Sequence, residues 1–266
     1  MKSLKYKPSS HADNRMQYEG DVSRARNYFF SEAPLNLKFL LKKRFDWMNE
    51  YITNTDNGIE VGCGTGLSKF FIKNANFKIT DYADREWLDE KMVDALKTPY
   101  SNESLDFVVS SNMIHHLPYP VLFFEEISRI LKPGGVLIIQ EINLSWCMRS
   151  ILRLMRHEGY DYTIDVFDRN LICTDPDDLW SANCAIPNLL FDDKALFEKN
   201  IPFFSMERTS FSELFLFLNS GGVIAKTKYI PLPRFMLKIV DGIDDFLISL
   251  SKKTFALQRQ IVLRKR

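Results

Sequence analysis

The stretch "IEVGCGTG", residues 59–66, constrains this chain more than any other. A short apolar run that ends in closely spaced glycines and passes into "LSKFFIKN" reads as a strand, a tight loop and the start of a helix. Such a loop turns backbone N–H groups towards one point at a helix N-terminus. Gly62, Gly64 and Gly66 let the main chain approach a ligand that side chains would otherwise keep away. Nucleotide-like ligands suit that layout. The dinucleotide fingerprint G-x-G-x-x-G, however, needs glycine at position 67, where this chain has Leu67.

The pattern around the loop predicts the architecture. "GIEV" is a buried strand, "FKITD" (77–81) a second, "VDALK" a strand edge, "LDFVVSS" (105–111) a further strand and "VLIIQEI" a fully apolar one. "LSKFFIKN", "REWLDEKM" and "PYPVLFFEEISRIL" read as helices between them. Pro120 stands in the first turn of the last of these, and Lys132-Pro133-Gly134-Gly135 ends it. Alternation of this kind implies a parallel sheet covered on both faces. The expected fold is α/β: a Rossmann-like doubly wound sheet, mostly parallel, with an antiparallel C-terminal strand from "FALQRQIVLRK" and a helical lid insertion. The corresponding division is an N-terminal helical cap (1–56), a core (57–145), a lid that shapes a substrate pocket (146–205) and a completion of the sheet (206–266). The alternative for 146–205 is a long ordered surface excursion. "PLNLKFLLKKRFDWMNEYI" (34–52) and "PRFMLKIVDGIDDFLISL" (233–250) have helical periodicity. In the second, Met236, Ile239, Val240, Ile243, Phe246, Leu247 and Leu250 share one side and Asp241, Asp244 and Asp245 the other, as expected of a helix covering the sheet.

Composition narrows the function classes. The chain has 35 Lys+Arg against 34 Asp+Glu, so a basic face for nucleic acid is not expected. The start "MKSLKYKPSS" is basic but no apolar stretch follows it, and no run approaches the ~18 apolar residues of a membrane span. Cys63, Cys147, Cys173 and Cys184 lack zinc or disulfide spacing. A cytoplasmic protein with reduced thiols is the expectation.

"IEVGCGTG" resembles motif I of class I S-adenosylmethionine (SAM)-dependent methyltransferases, and the resemblance continues in order over residues 57–143. Asp81 ends the second strand nineteen residues after Gly62, where the family places a carboxylate that accepts both ribose hydroxyls. "VDALKTPYSNESLDFV" looks like the third and fourth motifs, with Asp94 and Ala95 near the adenine. "LKPGGVLII" is similar to the signature before strand five. The branch most similar is the ubiquinone/menaquinone-biosynthesis-like one, methyltransferase type 11. The resemblance implies S-adenosyl-L-methionine as cofactor, held by Glu60, Gly62, Cys63, Gly64, Gly66, Asp81, Tyr82, Asp94, Ala95, Asn112 and Met113. Its rivals are a protein that binds SAM or its demethylated product without turnover, and an NAD(P)-dependent oxidoreductase, which Leu67 and the motif series disfavour.

"SSNMIHHLPYP" (110–120) falls after the fourth strand, beside the reacting group in this family. It does not match the Asn-Pro-Pro-Tyr motif of nucleic-acid amino methylation. Related quinone-pathway methyltransferases often carry E-x-x-E-H here, and in some of them the acids help bind a metal; this chain has Asn112 and His115 in those positions, so no metal is expected. His115 is the candidate base that takes the acceptor's proton, or else a polar rim residue. His116 aligns with a recurring histidine and is expected to brace the turn. Tyr28, Phe29 and Phe30, and likewise Tyr160, Asp161, Tyr162 and Asp165, are either a substrate wall or packing. "LFLNSGGVIAKTKYIPLP…IVLRKR" resembles methyltransferases encoded among bacterial polysaccharide or glycolipid genes. That likeness implies a small-molecule acceptor: a hydroxyl, less readily an amine, on a small polar, glycosyl or lipid-linked compound.

Overall fold

The computed structural model describes residues 4–8, 19–32, 34–156, 158–222 and 227–266. Residues 1–3 and 9–10 of "MKSLKYKPSS" and residues 223–226 of "LFLNSGGVIAKTKYIPLP" lie outside them. Strands β1 (Lys5–Tyr6), β2 (Gly58–Val61), β3 (Phe77–Ile79), β4 (Leu105–Ser111), β5 (Leu131–Ile142), β6 (Tyr160–Asp161), β7 (Phe204–Ser212) and β8 (Gln258–Lys265) carry the frame. The helices are α1 (Glu19–Ser31), α2 (Leu35–Phe45), α3 (Pro120–Ile130), α4 (Trp146–Met155), α5 (Ile186–Phe191), α6 (Lys194–Asn200), α7 (Phe215–Leu218), α8 (Arg234–Leu250) and α9 (Lys252–Phe255).

Six strands form one sheet in the order β3-β2-β4-β5-β8-β7. β3, β2, β4 and β5 run parallel, while β8 pairs antiparallel with both β5 and β7. The alternation of side chains along each strand explains two cores. Val108, Leu137, Ile139, Ile261 and Leu263 point to one face, where Phe123, Phe124 and Ile127 of α3 meet Phe191, Phe197 and Phe204. Phe107, Val109, Val136, Ile138 and Val262 point to the other, against Leu37, Leu41, Phe45 and Met48. Both faces are therefore covered, as the unbroken apolar character of β5 requires. The doubly wound α/β expectation holds, with the antiparallel strand at 258–265.

Three expected elements are not formed. Residues 67–74 make a single 3-10 turn at Leu67–Phe70, because the Asn49 side chain accepts the Lys73 N–H and Asn74 reaches the carbonyls of Thr53 and Asp56. "REWLDEKM" is not helical. Asp89 accepts the Ile79 N–H at 2.8 Å and its own N–H returns to Ile79 O, so the segment is drawn onto the edge of β3. "VDALK" is a turn in which Asp94 accepts the Leu96 N–H. In each case side-chain bonds to distant or local backbone outcompete the repeating ladder. Among the described residues no helix is long and apolar enough to cross a membrane.

Candidate active site

The carboxyl ends of β2, β3 and β4 converge on a cavity of about 570 Å³, a volume suited to a nucleoside-sized ligand together with a second small molecule. It lies outside the carboxyl ends of the strands, where open α/β sheets bind ligands. A shallower depression of about 620 Å³ lies at the opposite ends of the strands, among Asn102, Glu103, Glu125, Arg129 and Lys265. Its charged residues are ion-paired, Lys265 with Glu103, Arg129 with Glu126 and Glu125 with Arg169, and it is remote from the glycine loop.

One wall of the cavity at the glycine loop is main chain. The loop after β2 holds Gly62, Gly64 and Gly66 at φ of 64°, 52° and 63°, the left-handed region that favours glycine. A Cβ at Gly62 would stand 2.4 Å from Met113 Cγ, whereas a Cβ at Gly64 would meet nothing within 4 Å. Gly62 thus permits a close approach of two protein segments, and Gly64 leaves room for something else. The loop is tied down from outside: Arg26 of α1 donates to Thr65 O at 2.6 Å, and Trp87 Nε1–H donates to Gly64 O. Asp81 accepts the Gly64 N–H at 2.7 Å and the Ala83 N–H at 3.0 Å, with Arg85 at 3.1 Å. Glu60 is buried and accepts from Ser68 Oγ. Burial, opposed by that bond and aided by nearby Asp81, pushes its carboxyl up to about 8. Burial likewise holds the Cys63 thiol protonated, well above its ordinary range.

Of the expected cofactor residues, Glu60, Gly62, Cys63, Gly64, Asp81, Tyr82, Asp94, Ala95, Asn112 and Met113 all border this cavity. Gly66 does not. A Cβ there would lie 2.6 Å from Ile79 Cδ1, so its glycine serves the packing of the loop on β3. Asn112, at φ 50°, makes the left-handed step that ends β4, a conformation Asn tolerates better than most residues.

The other wall is side chain. His115 is 3% exposed and borders the cavity. Its Nδ1–H donates to Glu141 Oε1 at 2.6 Å, and its Nε2 stands 3.6 Å from Glu158 Oε2. Glu141 also accepts the N–H groups of Ile114 and Ile142, which fixes the carboxylate. Burial alone would lower the imidazole's pKa; the charge and hydrogen bond of Glu141 and the charge of Glu158 overcome it and raise His115 to about 9. His116 goes the other way, down to about 4, through burial and the adjacent His115 charge. Its Nδ1–H donates to Ser181 O at 3.0 Å, and its own carbonyl accepts from Thr174 Oγ1 at 2.7 Å. The two imidazoles therefore differ sharply: one is held as a cation by two carboxylates, the other is neutral and stitches the 114–116 turn to residues 174–181. His115, His116 and Glu158 present one ligand atom each within 4.8 Å of one another.

Several wall residues escaped the sequence reading. Glu158 faces both histidines and accepts from Cys184 Sγ at 3.2 Å. Met148, Ile151, Leu152 and Met155 of α4, with Asp175, Pro176, Asp178, Leu179, Trp180 and Arg44, complete the enclosure. Nothing in "RHEGYDY" marks Glu158 as different from other surface acids; only its distance from the turn after β4 does. Tyr28, Phe29 and Phe30 are not part of the cavity wall. Phe29 is buried against Phe30 and Phe70, so these rings pack the first two helices onto the loop. Tyr160 and Tyr162 accept bonds from Arg153 and Arg149 beside α4.

Comparison with known proteins agrees with this geometry. A family model described as a methyltransferase domain matches residues 59–139. The sterol 24-C-methyltransferase of Schizosaccharomyces pombe is 28% identical over 130 residues, covering 41% of this chain and 33% of that protein. A highly reducing polyketide synthase of Calcarisporium arbuscula is 30% identical over 100 residues, covering 36% of this chain and 4% of that protein. The chain thus spans a third or less of the length of these two curated relatives. A SAM-dependent methyltransferase structure from Archaeoglobus fulgidus superposes with a TM-score of 0.51 at 15% identity, over 86% of this chain and 94% of that one; it speaks to the fold. Residues 59–139 are a class I methyltransferase domain, and the cofactor of that domain is S-adenosylmethionine.

Proposed function

We propose that the protein transfers a methyl group from SAM to a hydroxyl of a small polar, glycosyl or lipid-linked acceptor, with His115 as the base. The observation that carries this reading is the His115–Glu141 pair on the wall of the cavity that also contains the glycine loop. When bound, SAM supplies an electrophilic methyl on a sulfonium, so the chemistry needs little beyond alignment and removal of a proton.

The residues present fit that cofactor. Gly64, with open space where a Cβ would stand, and Gly62 supply main chain for its amino-acid end, near Glu60. Asp81 offers the carboxylate for a vicinal diol, and Asp94 and Ala95 the wall for a base. Asn112 and Met113 close the cavity between the two ligands. Orienting both reactants in one cavity supplies on the order of 7–11 kcal/mol of the barrier. On the acceptor side, Glu141 is a positioning residue. It fixes the Nδ1–H tautomer and turns Nε2 of His115 towards the cavity, where the acceptor hydroxyl gives up its proton as the methyl arrives. Glu158 stabilises the imidazolium that results. Because His115 rises to about 9, the base form grows as pH increases, and kcat/KM should climb by one proton's slope up to about pH 9.

The test is His115→Gln, assayed with nucleotide sugars and glycolipids beside peptide and nucleic-acid pools. Turnover should fall about 10²–10⁴-fold, with SAM-induced thermal stabilisation unchanged. Transfer confined to protein or RNA rejects the acceptor class, and unchanged turnover removes the base. SAM binding without transfer to any acceptor would favour a non-catalytic binding protein.

A further inference from the structure

Helix α8 is seated the opposite way round from its composition. The face turned to the protein is Leu237, Asp244 and Ile248. The apolar stripe faces outward, with Phe235 65%, Ile239 58%, Phe246 62% and Leu250 63% exposed, joined by Met236 and Ile243. The helix's three acids are what hold it this way. Asp244 accepts the N–H groups of Leu214, Phe215 and Leu216 at 2.9–3.1 Å, satisfying the start of α7. Asp241 and Asp245 both pair with Lys43 of α2.

Asp244 is buried and Asp241 partly so, whereas Asp245 stays exposed while paired with Lys43; the helix's charges without a carboxylate or ammonium partner among the described residues are cations. Successive residues advance by about 100°, which places Arg234 and Lys238 along one edge of the stripe, with Asp245, already paired with Lys43, between them. Lys252 and Lys253 follow its C-terminal end, and all four are exposed. Among the described residues no carboxylate pairs with Arg234, Lys238 or Lys253. The stripe also continues beyond α8. Ile230 is exposed just before it, and α9 packs on α4, whose Leu154 is 86% exposed. Leu154 lies one turn beyond Ile151, which shares an apolar cluster with Leu247 and Phe255 and also borders the cavity.

We propose that this face, α8 with the outer side of α4, is a docking surface for an anionic lipid bilayer, on which the helix lies parallel to the plane with its stripe among the acyl chains. An amphipathic helix with bulky apolar residues on one side and Lys/Arg at the margin binds in this manner, by burial plus attraction to anionic headgroups. A second copy of the chain would set Arg234, Lys238, Lys252 and Lys253 against their like, which makes it the poorer occupant. At 17 residues with three acids, α8 lies on a bilayer and does not cross it. Ile151, Leu152 and Met155 of α4 line the cavity, so a lipid-linked acceptor would reach it past α4. That use of the face rests on the methyl-transfer reading, whereas vesicle binding does not, so the two fail separately.

Flotation of the full chain with phosphatidylcholine vesicles, with and without phosphatidylglycerol, tests the surface. The protein should float with the mixed vesicles and much less with phosphatidylcholine alone. Ile239→Glu with Phe246→Glu should weaken binding on the order of a hundredfold. Arg234→Glu with Lys238→Glu should weaken it roughly tenfold, on anionic vesicles only. Circular dichroism should show unchanged melting for both variants, because these side chains face solvent. Absence of flotation, or flotation insensitive to Ile239→Glu with Phe246→Glu, overturns the proposal. So does a concentration-dependent dimer that this pair abolishes while vesicles are ignored.

Discussion

The two walls of the cavity are built by different means. On the cofactor side, position is set by backbone: glycines in the left-handed region and an Asp81 carboxylate anchored by main-chain N–H groups within one β-loop-β unit. On the acceptor side, side chains from segments far apart in sequence converge, with the 114–116 turn, Glu141, Glu158 and residues 174–181 meeting across intervals of up to 65 positions. The contrast teaches why one wall can serve a common ligand while the other specialises. A backbone cradle tolerates little change, whereas a wall of side chains can be rewritten without disturbing the sheet.

The sharpest way to break the contrast is Gly62→Val. Its Cβ would collide with Met113 and its φ of 64° is unfavourable for a β-branched residue; overpacking alone costs about 1–3 kcal/mol. SAM-dependent thermal stabilisation should disappear and the melting temperature of the apo-protein should drop. Gly64→Ala should separate the two effects, because the added methyl meets no protein atom. Its stability should fall only by about 1 kcal/mol, while the SAM dissociation constant rises by a larger factor. Loss of stability equal to that of Gly62→Val would contradict an open cradle. On the other wall, Met148→Ala should raise the acceptor KM several-fold and leave SAM affinity within about twofold, as isothermal titration against steady-state kinetics would show.

The two histidines sharpen the contrast by pH. His116, depressed to about 4 from 6.5, contributes stability that is present above pH 6.5 and is lost as pH falls towards 4. His115, raised to about 9, contributes stability that is present below 6.5 and is lost as pH rises through 9. Glu60, raised from 4.5 to about 8, contributes stability that is present below 4.5 and is lost as pH rises through 8, so it opposes the His116 limb below pH 6.5 and adds to the His115 limb above it. Melting temperatures across pH should therefore flatten on the acid side in His116→Gln and on the alkaline side in His115→Gln. A reversed pairing of variants and limbs would contradict the charge states described above.

How far each wall can be read in the sequence follows from the same difference. "IEVGCGTG", Asp81, "LDFVVSS" and "LKPGGVLII" are local patterns, and local hydrogen bonding with two-residue alternation places them correctly. Residues 85–92 carry a helical pattern and 93–97 a strand-like one, yet Asp89 draws the first onto β3 and Asp94 closes the second into a turn. Glu158 has no local signature at all. Helix α8 is the most instructive case: periodicity reveals that an apolar side exists, but not which side faces the protein. Lys43 and the amides of Leu214, Phe215 and Leu216 decide that, and they are distant in sequence.

The position of β8 has a consequence for assembly. It is the last strand in sequence but lies inside the sheet, between β5 and β7. During synthesis the long apolar edge of β5 is therefore complete more than a hundred residues before its partner emerges. Over that interval β5 offers unpaired N–H and C=O groups, and β7 waits without a neighbour. The growing chain passes through a stage open to strand exchange and chaperone capture, and sheet closure becomes the late, long-range step of folding.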